Sequence, residues 1–593
     1  MNQSSSKVTE LNFEIEKLDT HFEVDLSLVS CTDNVYTYKL KVHSDTKASP
    51  KLITVKWKIP ALNVKGVWKC GEIHKKRLQY DWEREHLSSR VSVDAPVISV
   101  FGHKDENVLT FACADAINLL EMNTLLREED NHLYSFISFF KERHEEIYEY
   151  ETFIRIDLSN VRYSTSIQDV SKWWETFDYL KPTSVPDIAR LPLYSTWYQF
   201  HQSLDEDILL EECKIAVGLG YKLIILDDGW QTMDTNRGYD YTGDWQPDRF
   251  PNLKEFVAKV QSIGVKFGLW FSVPFCGKKS AAYKRFKGKF LTENHRWAPV
   301  FDPRYPEVRA YLIVTYCNAL TSYNLDAFKL DFIDDFKVYP ETVLTKENGR
   351  DYANVNEAVD RLMTDIMHSL WKIKADIAVE FRQQYIGPAM RKFGNMFRAF
   401  DCPNDPISNR IRTTDVKLLC GNTAVHSDMI TWHKDEKVEL SALQVLNAFF
   451  SVPQMSVHLR NLPAAHLEML KFYTTYWTAN QKIILDSTFT PVNPLGNYSV
   501  LKVENDEKNI TAIYDDVNIE YDGKSTMDVL NAKISKSVIV KNTSNIKRLS
   551  VSVYNCRGQV VDQSYLDFHT ASLHEINVPI AGMCRLEKFA NES

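Results

Sequence analysis

The sequence predicts a multidomain α/β protein with a central (β/α)8 TIM barrel, an N-terminal β-sandwich and a small C-terminal β-domain. In the middle of the chain, short apolar strands alternate with amphipathic helices over roughly 270 residues, which is typical of a (β/α)8 barrel. On both sides of this region, β-branched and aromatic residues cluster into short strands separated by polar turns. The length of 593 residues is enough for about three or more domains.

Residues 1–185 have the pattern of a β-sandwich. The clearest predicted strands are Val35–Val42, Leu52–Ile59, Val108–Cys113 and Tyr148–Ile156. Polar turns separate these strands, as expected when many short strands pack in two layers.

Residues 186–486 have the barrel pattern. The predicted helices Glu206–Val217 and Leu253–Ser262 are both followed by glycines, which commonly end helices. The eight predicted strands are Leu191–Trp197, Tyr221–Asp227, Val265–Phe271, Leu325–Asp331, Asp376–Arg382, Met396–Asp401, Thr423–Asp428 and Gln454–Leu459. A doubly wound open sheet is the alternative, but no glycine-rich phosphate loop follows the first strand.

Residues 487–593 return to a strand pattern and predict a small antiparallel β-domain. Its clearest strands are Tyr498–Val503, Ile510–Tyr514, Ser537–Val540 and Leu549–Tyr554.

Composition and charge exclude several classes of function. The net charge of −9, from 70 basic and 79 acidic residues, argues against a nucleic-acid or anionic-membrane surface. No apolar run approaches the length of a membrane span. The ten cysteines include no CxxC pair, and the polar segment Met1–Lys7 lacks the apolar core of a secretory signal. We therefore expect a reduced, cytoplasmic protein; the sequence carries no signal for an oligomeric state.

Carboxylates cluster at the predicted strand ends, where a barrel of this kind places its active site. They close strands two, four, six and seven, at Asp227-Asp228, Asp331, Asp401 and Asp428. A single aspartate at a strand end can simply cap the following helix. Four such ends around one rim, with Trp197 and Trp270 close to two others, indicate a functional site instead.

The predicted site contains carboxylates and tryptophans but no cofactor-binding loop, no set of metal ligands and no nucleophilic serine. This combination suits glycoside hydrolysis, in which one carboxylate attacks the sugar and another carries a proton. Lys329 lies two residues before Asp331, so both side chains fall on the same face of a strand. Its charge would keep Asp331 ionised, as a nucleophile requires. Asp401, two strands further round the barrel, would face Asp331 as the acid/base.

An ordered series of motifs resembles glycoside hydrolase family 36, the retaining α-galactosidases and the raffinose-synthase-like enzymes. The series is Asp227-Asp228-Gly229-Trp230, Gly243-Asp244-Trp245, Phe250-Pro251-Asn252, Phe267-Gly268-Leu269-Trp270 and Lys329-Leu330-Asp331. The resemblance is clearest over about residues 191–335 and extends more loosely to 480, and the flanking β-regions agree with the layout of the family.

The resemblance implies roles for individual residues. Asp331 would be the nucleophile, and Asp227 and Asp228 would accept hydrogen bonds from the 4- and 6-hydroxyls of the sugar. Lys329 would bind a hydroxyl beside the nucleophile. The pocket walls would come from Trp270, Trp230 and Trp197.

A loop of the N-terminal domain can also reach the site in this family. Trp68 is the candidate here, and packing inside the sandwich is its alternative role.

Two segments depart from the family pattern. Strand five continues as Glu380-Phe381-Arg382-Gln383-Gln384-Tyr385, without the usual glycine run that helps to read the sugar. The acid/base segment usually has serine before the aspartate, but here it reads Arg398-Ala399-Phe400-Asp401-Cys402-Pro403-Asn404-Asp405, and Asp405 is the alternative to Asp401. Arg398 would orient the acid/base carboxylate or a substrate hydroxyl. The expected substrate-binding set is completed by Glu380, Arg382 and Asp428.

A metal centre is not expected. His426, Asp428 and His433 lack a fourth ligand, and sugar hydroxyls explain Asp428 more simply. No other cofactor is indicated.

The sequence thus predicts a retaining α-glycosidase, an α-galactosidase acting on small oligosaccharides by double displacement. Two alternatives stay open. One is a glycosidase or transglycosylase of the same fold that acts on another α-linked sugar, and the other is an inactive carbohydrate-binding protein.

Overall fold

A computed structural model describes residues 11–18, 20–71, 74–83, 85–567 and 572–588. The N-terminal segment Met1–Lys7, on which the expected lack of a secretory signal rests, lies outside these residues. Among the helices of the described ranges, none combines the length and apolar character needed to cross a membrane.

The N-terminal region is a β-sandwich, as predicted. Its described strands, β1 to β11, are Phe13–Lys17, Glu23–Thr32, Val35–Ala48, Ile53–Pro60, Gly66–Lys69, Leu87–Ser89, Val97–Phe101, Asn107–Cys113, Leu120–Arg127, His132–Phe139 and Ile147–Asp157. One sheet has the order β1-β4-β10-β9-β6 and the other the order β2-β3-β11-β8-β7-β5. Trp57 of one sheet packs edge-on against Phe111 of the other, with ring centroids 4.9 Å apart.

The eight predicted strands of the central region form one parallel sheet, which confirms the barrel. They are β12 Leu193–Ser195, β13 Leu223–Leu226, β14 Lys266–Ser272, β17 Ala327–Asp331, β18 Ala378–Arg382, β19 Met396–Arg398, β20 Ala424–His426 and β21 Gln454–Met455; β15 Phe290–Thr292 and β16 Val300–Phe301 form a separate hairpin. The sheet runs β20-β19-β18-β17-β14-β13-β12-β21, and a parallel bridge between His426 and Val452 closes it.

Helices connect the strands, and capping residues mark the ends of the helix that begins at Glu206. Asp205 caps the helix that begins at Glu206 by accepting a hydrogen bond from Ile208 N, and Gly220 ends it with a positive φ of 106°. The described helices α1 to α11 are Tyr163–Trp174, Trp197–Phe200, Glu206–Leu219, Leu253–Ser262, Ala281–Arg285, Pro306–Tyr323, Val355–Ile373, Pro406–Leu419, Val438–Asn447, Ala464–Ala479 and Gln481–Asp486. Trp197, predicted as a strand end, begins the short α2 instead.

The C-terminal β-domain contains two sheets with parallel as well as antiparallel pairs. Strands β22 to β31 are Thr488–Val492, Val500–Glu504, Lys508–Ile513, Asn518–Tyr521, Thr526–Asn531, Ser537–Asn542, Arg548–Tyr554, Val560–Asp567, Leu573–Asn577 and Met583–Lys588. Strand β25 lies in the second sheet, so the chain leaves the first sheet after β24 and returns as β26 in parallel. Most strand pairs are antiparallel, as expected, but the pairs β24–β26 and β25–β27 are parallel.

One buried carboxylate joins the three regions of the chain. Asp415 of α8 accepts hydrogen bonds from Trp68 Nε1 and Lys76 Nζ of the N-terminal region, both at 2.8 Å, and from the hydroxyl of Tyr498 at the start of the C-terminal domain. Trp68 is fully buried in this contact and does not line the cavity described below. Its role is packing and hydrogen bonding, the alternative to a sugar contact.

The N-terminal region also supports the loops at the carboxyl ends of the barrel strands. Asp94 N donates to Gln384 O at 2.7 Å, and Arg90 Nη2 donates to Asp334 O at 3.1 Å. Position 387 must be glycine, because a Cβ there would lie 2.4 Å from the Asp94 carbonyl oxygen. The loops after strands β17 and β18 are thus held from outside the barrel.

We expect Asp415→Ala to lower the free energy of unfolding by about 3–5 kcal/mol, because it leaves buried donors without their acceptor. Urea unfolding followed by tryptophan fluorescence measures this effect. The matched control is Asp169→Ala, which removes an exposed ion pair with Lys172 and should cost less than about 1 kcal/mol. Equal midpoints for the two variants would contradict the role of Asp415.

Candidate active site

A cavity of about 690 Å³ opens at the carboxyl ends of the barrel strands. Eight of the twelve residues expected at the site line it: Trp197, Asp227, Asp228, Trp270, Lys329, Asp331, Arg382 and Asp401. The parallel barrel explains this convergence, since all the strands end at the same rim.

Asp331 lies at the end of β17 and is the most heavily hydrogen-bonded carboxylate of the cavity. Its Oδ1 accepts from Arg382 Nε at 2.8 Å, from the Tyr385 hydroxyl at 2.8 Å and from the Phe332 backbone N–H at 2.8 Å. Its Oδ2 accepts from Trp270 Nε1 at 3.0 Å. One oxygen is therefore fixed by three donors and the other by a single donor.

The environment of Asp331 keeps this carboxylate ionised. Burial alone would raise its pKa, but Arg382 and Lys329, together with the hydrogen bonds from Trp270 and Tyr385, bring the pKa well below its ordinary value. Lys329 Nζ lies 3.9 Å from Oδ2. An anionic group with one lightly bonded oxygen is suited to nucleophilic attack.

Asp227 and Asp228 follow β13 and differ in their partners. Asp227 accepts a hydrogen bond from Lys329 Nζ at 2.6 Å. Asp228 accepts from Gln202 Nε2 at 2.8 Å and from Gln231 Nε2 at 2.7 Å. Burial raises the pKa of Asp228 to about 7, so its protonation changes near neutral pH.

Asp401 follows β19 and is the most exposed of these carboxylates, with 38% of its side chain accessible. Arg398 Nη1 donates to it at 2.9 Å. Burial tends to raise the pKa of Asp401, but Arg398, Arg382 and Lys329 lower it below the ordinary value. In the free protein Asp401 is thus ionised at neutral pH, the form that a general base requires.

Four of the predicted residues lie behind the cavity wall rather than in it. Trp230 is fully buried and its Nε1 donates to Trp270 O at 2.9 Å, so it supports Trp270.

Arg398 is 1% exposed and bridges Asp401 to Asp428, whose Oδ1 lies 2.5 Å from Arg398 Nη1. Glu380 accepts a hydrogen bond from Gln454 and lies 3.4 Å from Arg398 Nε. These side chains have protein partners and are positioned to hold the wall. Arg398 thus contacts the acid/base carboxylate, the first of its two expected roles, whereas Trp230 and Glu380 do not line the cavity in which they were expected.

Asp428 illustrates why a buried acid at a strand end need not touch substrate. It also accepts hydrogen bonds from the Tyr198 hydroxyl and from Cys402 N, both at 2.7 Å. Burial raises its pKa to about 6.

The alternative acid and the metal candidates have other roles. Asp405 caps α8 by accepting from Ser408 N at 3.0 Å, and it does not line the cavity. His426 Nε2 lies 2.7 Å from the Ala189 carbonyl oxygen, and His433 is exposed. Within the described ranges, no group of three or more His, Cys, Asp or Glu residues is arranged to hold a metal ion.

Several cavity residues were not predicted from the sequence. Tyr239 stacks on Trp270 with ring centroids 6.1 Å apart, and Phe332 packs edge-on against both. Trp297, Arg237 and Arg296 complete the outer part of the cavity. The long irregular segment 227–252 could have indicated Tyr239 and Arg237, since loops of this length are commonly functional.

The arrangement can perform substitution at a carbon that carries a leaving oxygen. It offers an anionic nucleophile, a second carboxylate able to exchange protons with water, and an aromatic wall suited to a sugar ring.

Comparison with known proteins agrees with this geometry. Residues 163–378 match the family model Melibiase. Probable alpha-galactosidase C of Aspergillus flavus is 28% identical over 202 residues, which cover 31% of this chain and 26% of the relative. Alpha-galactosidase AgaA of Geobacillus stearothermophilus is 27% identical over 179 residues, covering 28% and 24%. The matched segment thus spans about a quarter of these curated relatives.

Solved structures match nearly the whole chain. The crystal structure of the GH36 α-galactosidase AgaA from Geobacillus stearothermophilus superposes with a TM-score of 0.65 at 14% identity, covering 98% of this chain and 88% of that one. The α-galactosidase of Lactobacillus brevis gives 0.64 at 13%, covering 99% and 87%. The expected resemblance is confirmed: residues 163–378 match the Melibiase model, and the chain as a whole has the fold of the glycoside hydrolase family 36 α-galactosidases.

Proposed function

We propose that this protein is a retaining α-galactosidase that hydrolyses terminal α-galactosides of small oligosaccharides. The observation that carries the proposal is the ionised Asp331, held by Arg382 and Tyr385 at the floor of a cavity that Asp401 also lines. The relatives support the choice of sugar, because one solved neighbour, from Thermus thermophilus, contains p-nitrophenyl α-D-galactopyranoside.

In the first step, Asp331 attacks the anomeric carbon and forms a glycosyl ester. The attacking oxygen is Oδ2, because the three donors on Oδ1 fix that oxygen in place. Asp401 donates a proton to the leaving oxygen. It is ionised in the free protein, so it must take up this proton first, and a sugar that displaces water from its exposed face favours the uptake.

In the second step, Asp401 removes a proton from water, which attacks the anomeric carbon and releases Asp331. Formation of the ester neutralises Asp331, and its charge had opposed the ionisation of Asp401. The pKa of Asp401 therefore falls in the intermediate, as the change from acid to base requires.

We also propose that the reaction takes place in the cytoplasm. All ten cysteines are free thiols in the structure, a state that a reducing compartment maintains. Separating a cell extract into cytoplasmic, membrane and secreted fractions, followed by immunoblotting, tests this proposal.

A panel of 4-nitrophenyl α-glycosides tests the function. We expect the highest kcat/KM on the α-galactoside and an α-anomer as the first product seen by NMR. Asp331→Asn should lower kcat by about 10⁴-fold or more, since it removes the nucleophile. The matched control is Asp376→Asn, the same change on an exposed residue at the opposite end of the barrel, which should keep full activity.

Each other outcome replaces the proposal with a defined alternative. A preference for another α-glycoside would change the sugar. A disaccharide product in place of free galactose would indicate transfer. Absence of turnover on every α-glycoside would leave a carbohydrate-binding protein.

Asp401→Asn should slow the hydrolysis of substrates with poor leaving groups much more than that of substrates with good ones. The reason is that 4-nitrophenolate can leave without being protonated, whereas a sugar alkoxide needs a proton from the acid. We expect kcat/KM to fall by about 10²–10⁴-fold on melibiose and by less than about tenfold on the 4-nitrophenyl galactoside. Steady-state kinetics on both substrates checks this. Equal losses on the two would show that Asp401 is not the proton donor.

A further inference from the structure

Two arginines at the cavity mouth have no anionic partner. Arg237, in the loop after β13, and Arg296, in the β15–β16 hairpin, are both exposed and line the cavity. Within the described ranges, neither guanidinium makes a hydrogen bond or an ion pair. Each lies over a tryptophan of the same cavity instead: Arg237 at 5.8 Å from the Trp197 ring and Arg296 at 5.0 Å from the Trp297 ring.

The cations deeper in the cavity are all matched. Lys329 faces Asp227 at 2.6 Å, and Arg382 faces Asp331 at 2.8 Å. Near the mouth, Lys337 pairs with Asp335 at 3.3 Å. Among the described residues that line the cavity, the two arginines are therefore the cations without an acidic partner, in a chain whose net charge is −9.

The remaining acids do not neutralise the two arginines. Asp334 faces Arg382, with Oδ1 3.9 Å from Nη2, and Asp335 is shared between Lys337 and His295, the latter at 3.4 Å. At the floor of the cavity each cation has an acidic partner, whereas the mouth carries two positive charges without one.

The positions of the two arginines suit recognition of a planar anion. A guanidinium that lies over an aromatic ring keeps its N–H edge available for in-plane hydrogen bonds, and this edge matches a carboxylate. Arg237 is also tied to the floor, because its backbone N–H donates at 2.7 Å to Gln202, whose amide holds Asp228 at 2.8 Å.

We propose that Arg237 and Arg296 form a binding site for a carboxylate on the leaving-group side of the substrate, so that acidic α-galactosides are preferred over neutral ones. The inference rests on the proposed function, since it assigns the galactose to the floor and the leaving group to the mouth. A neutral leaving group would contact only the tryptophan rings of this site, whereas an acidic leaving group would also be attracted by the two guanidinium charges.

A matched pair of substrates tests the proposal: 4-carboxyphenyl α-galactoside and its neutral amide, 4-carbamoylphenyl α-galactoside. At low salt we expect kcat/KM for the acid to exceed that for the amide by about fivefold, because exposed ion pairs are individually weak. The preference should fall to about one in Arg237→Gln/Arg296→Gln, and also in roughly 1 M NaCl, where exposed charges are screened. The readout is the acid-to-amide ratio within each variant, so a loss of activity that is shared by both substrates cancels.

The control is Arg285→Gln, an exposed arginine that lies over Phe286 and Tyr311 but does not line the cavity. It should keep the wild-type preference. A wild-type ratio of one, or a ratio that survives the double substitution, would overturn the proposal. If neither galactoside is hydrolysed, the proposed function fails, and calorimetric affinities of the two compounds still decide whether the mouth selects for charge.

Discussion

The compensation of buried charge at the barrel rim is the constraint on which the site depends. Ionised side chains in a low-dielectric cavity are stable only when opposite charges or hydrogen-bond donors face them. Here other strands of the barrel supply these partners: Arg382 of β18 for Asp331 and Arg398 of β19 for Asp428, each from the adjacent strand, and Lys329 of β17 for Asp227, from across β14. Each pair joins two strands of the barrel. The same contacts that stabilise the ionised carboxylates therefore also hold the carboxyl ends of these strands in position.

This compensation is unequal, and the inequality separates the roles of the acids. Asp331 has two cations and several donors, so it stays ionised. Asp228 has only amide donors, and burial raises its pKa to about 7. Asp401 is exposed to the cavity and responds to the charge on Asp331. When the environment separates the pKa values of neighbouring carboxylates in this way, one can act as nucleophile while another acts as acid and base.

The fold and the cavity floor could be predicted from the sequence, because the period of apolar residues and the acids at the strand ends are local signals. The sequence could not predict which of these acids face the cavity. Asp428 and Asp401 both follow barrel strands, yet Asp428 lies behind the wall because Tyr198, Arg398 and Cys402 bond to it from other segments. The mouth was missed for a similar reason: Arg237 and Arg296 sit on irregular loops that no periodicity marks.

The central claim is that Asp331 is the nucleophile of a retaining reaction. Covalent trapping tests it most directly: the protein is incubated with an activated 2-deoxy-2,2-difluoro-α-galactoside, digested and analysed by mass spectrometry. The fluorines slow both steps, and the good leaving group lets the glycosyl ester accumulate. We expect one sugar per chain on the peptide that contains Asp331. A label on another residue, or turnover of α-galactosides by inversion of the anomeric centre, would contradict the account.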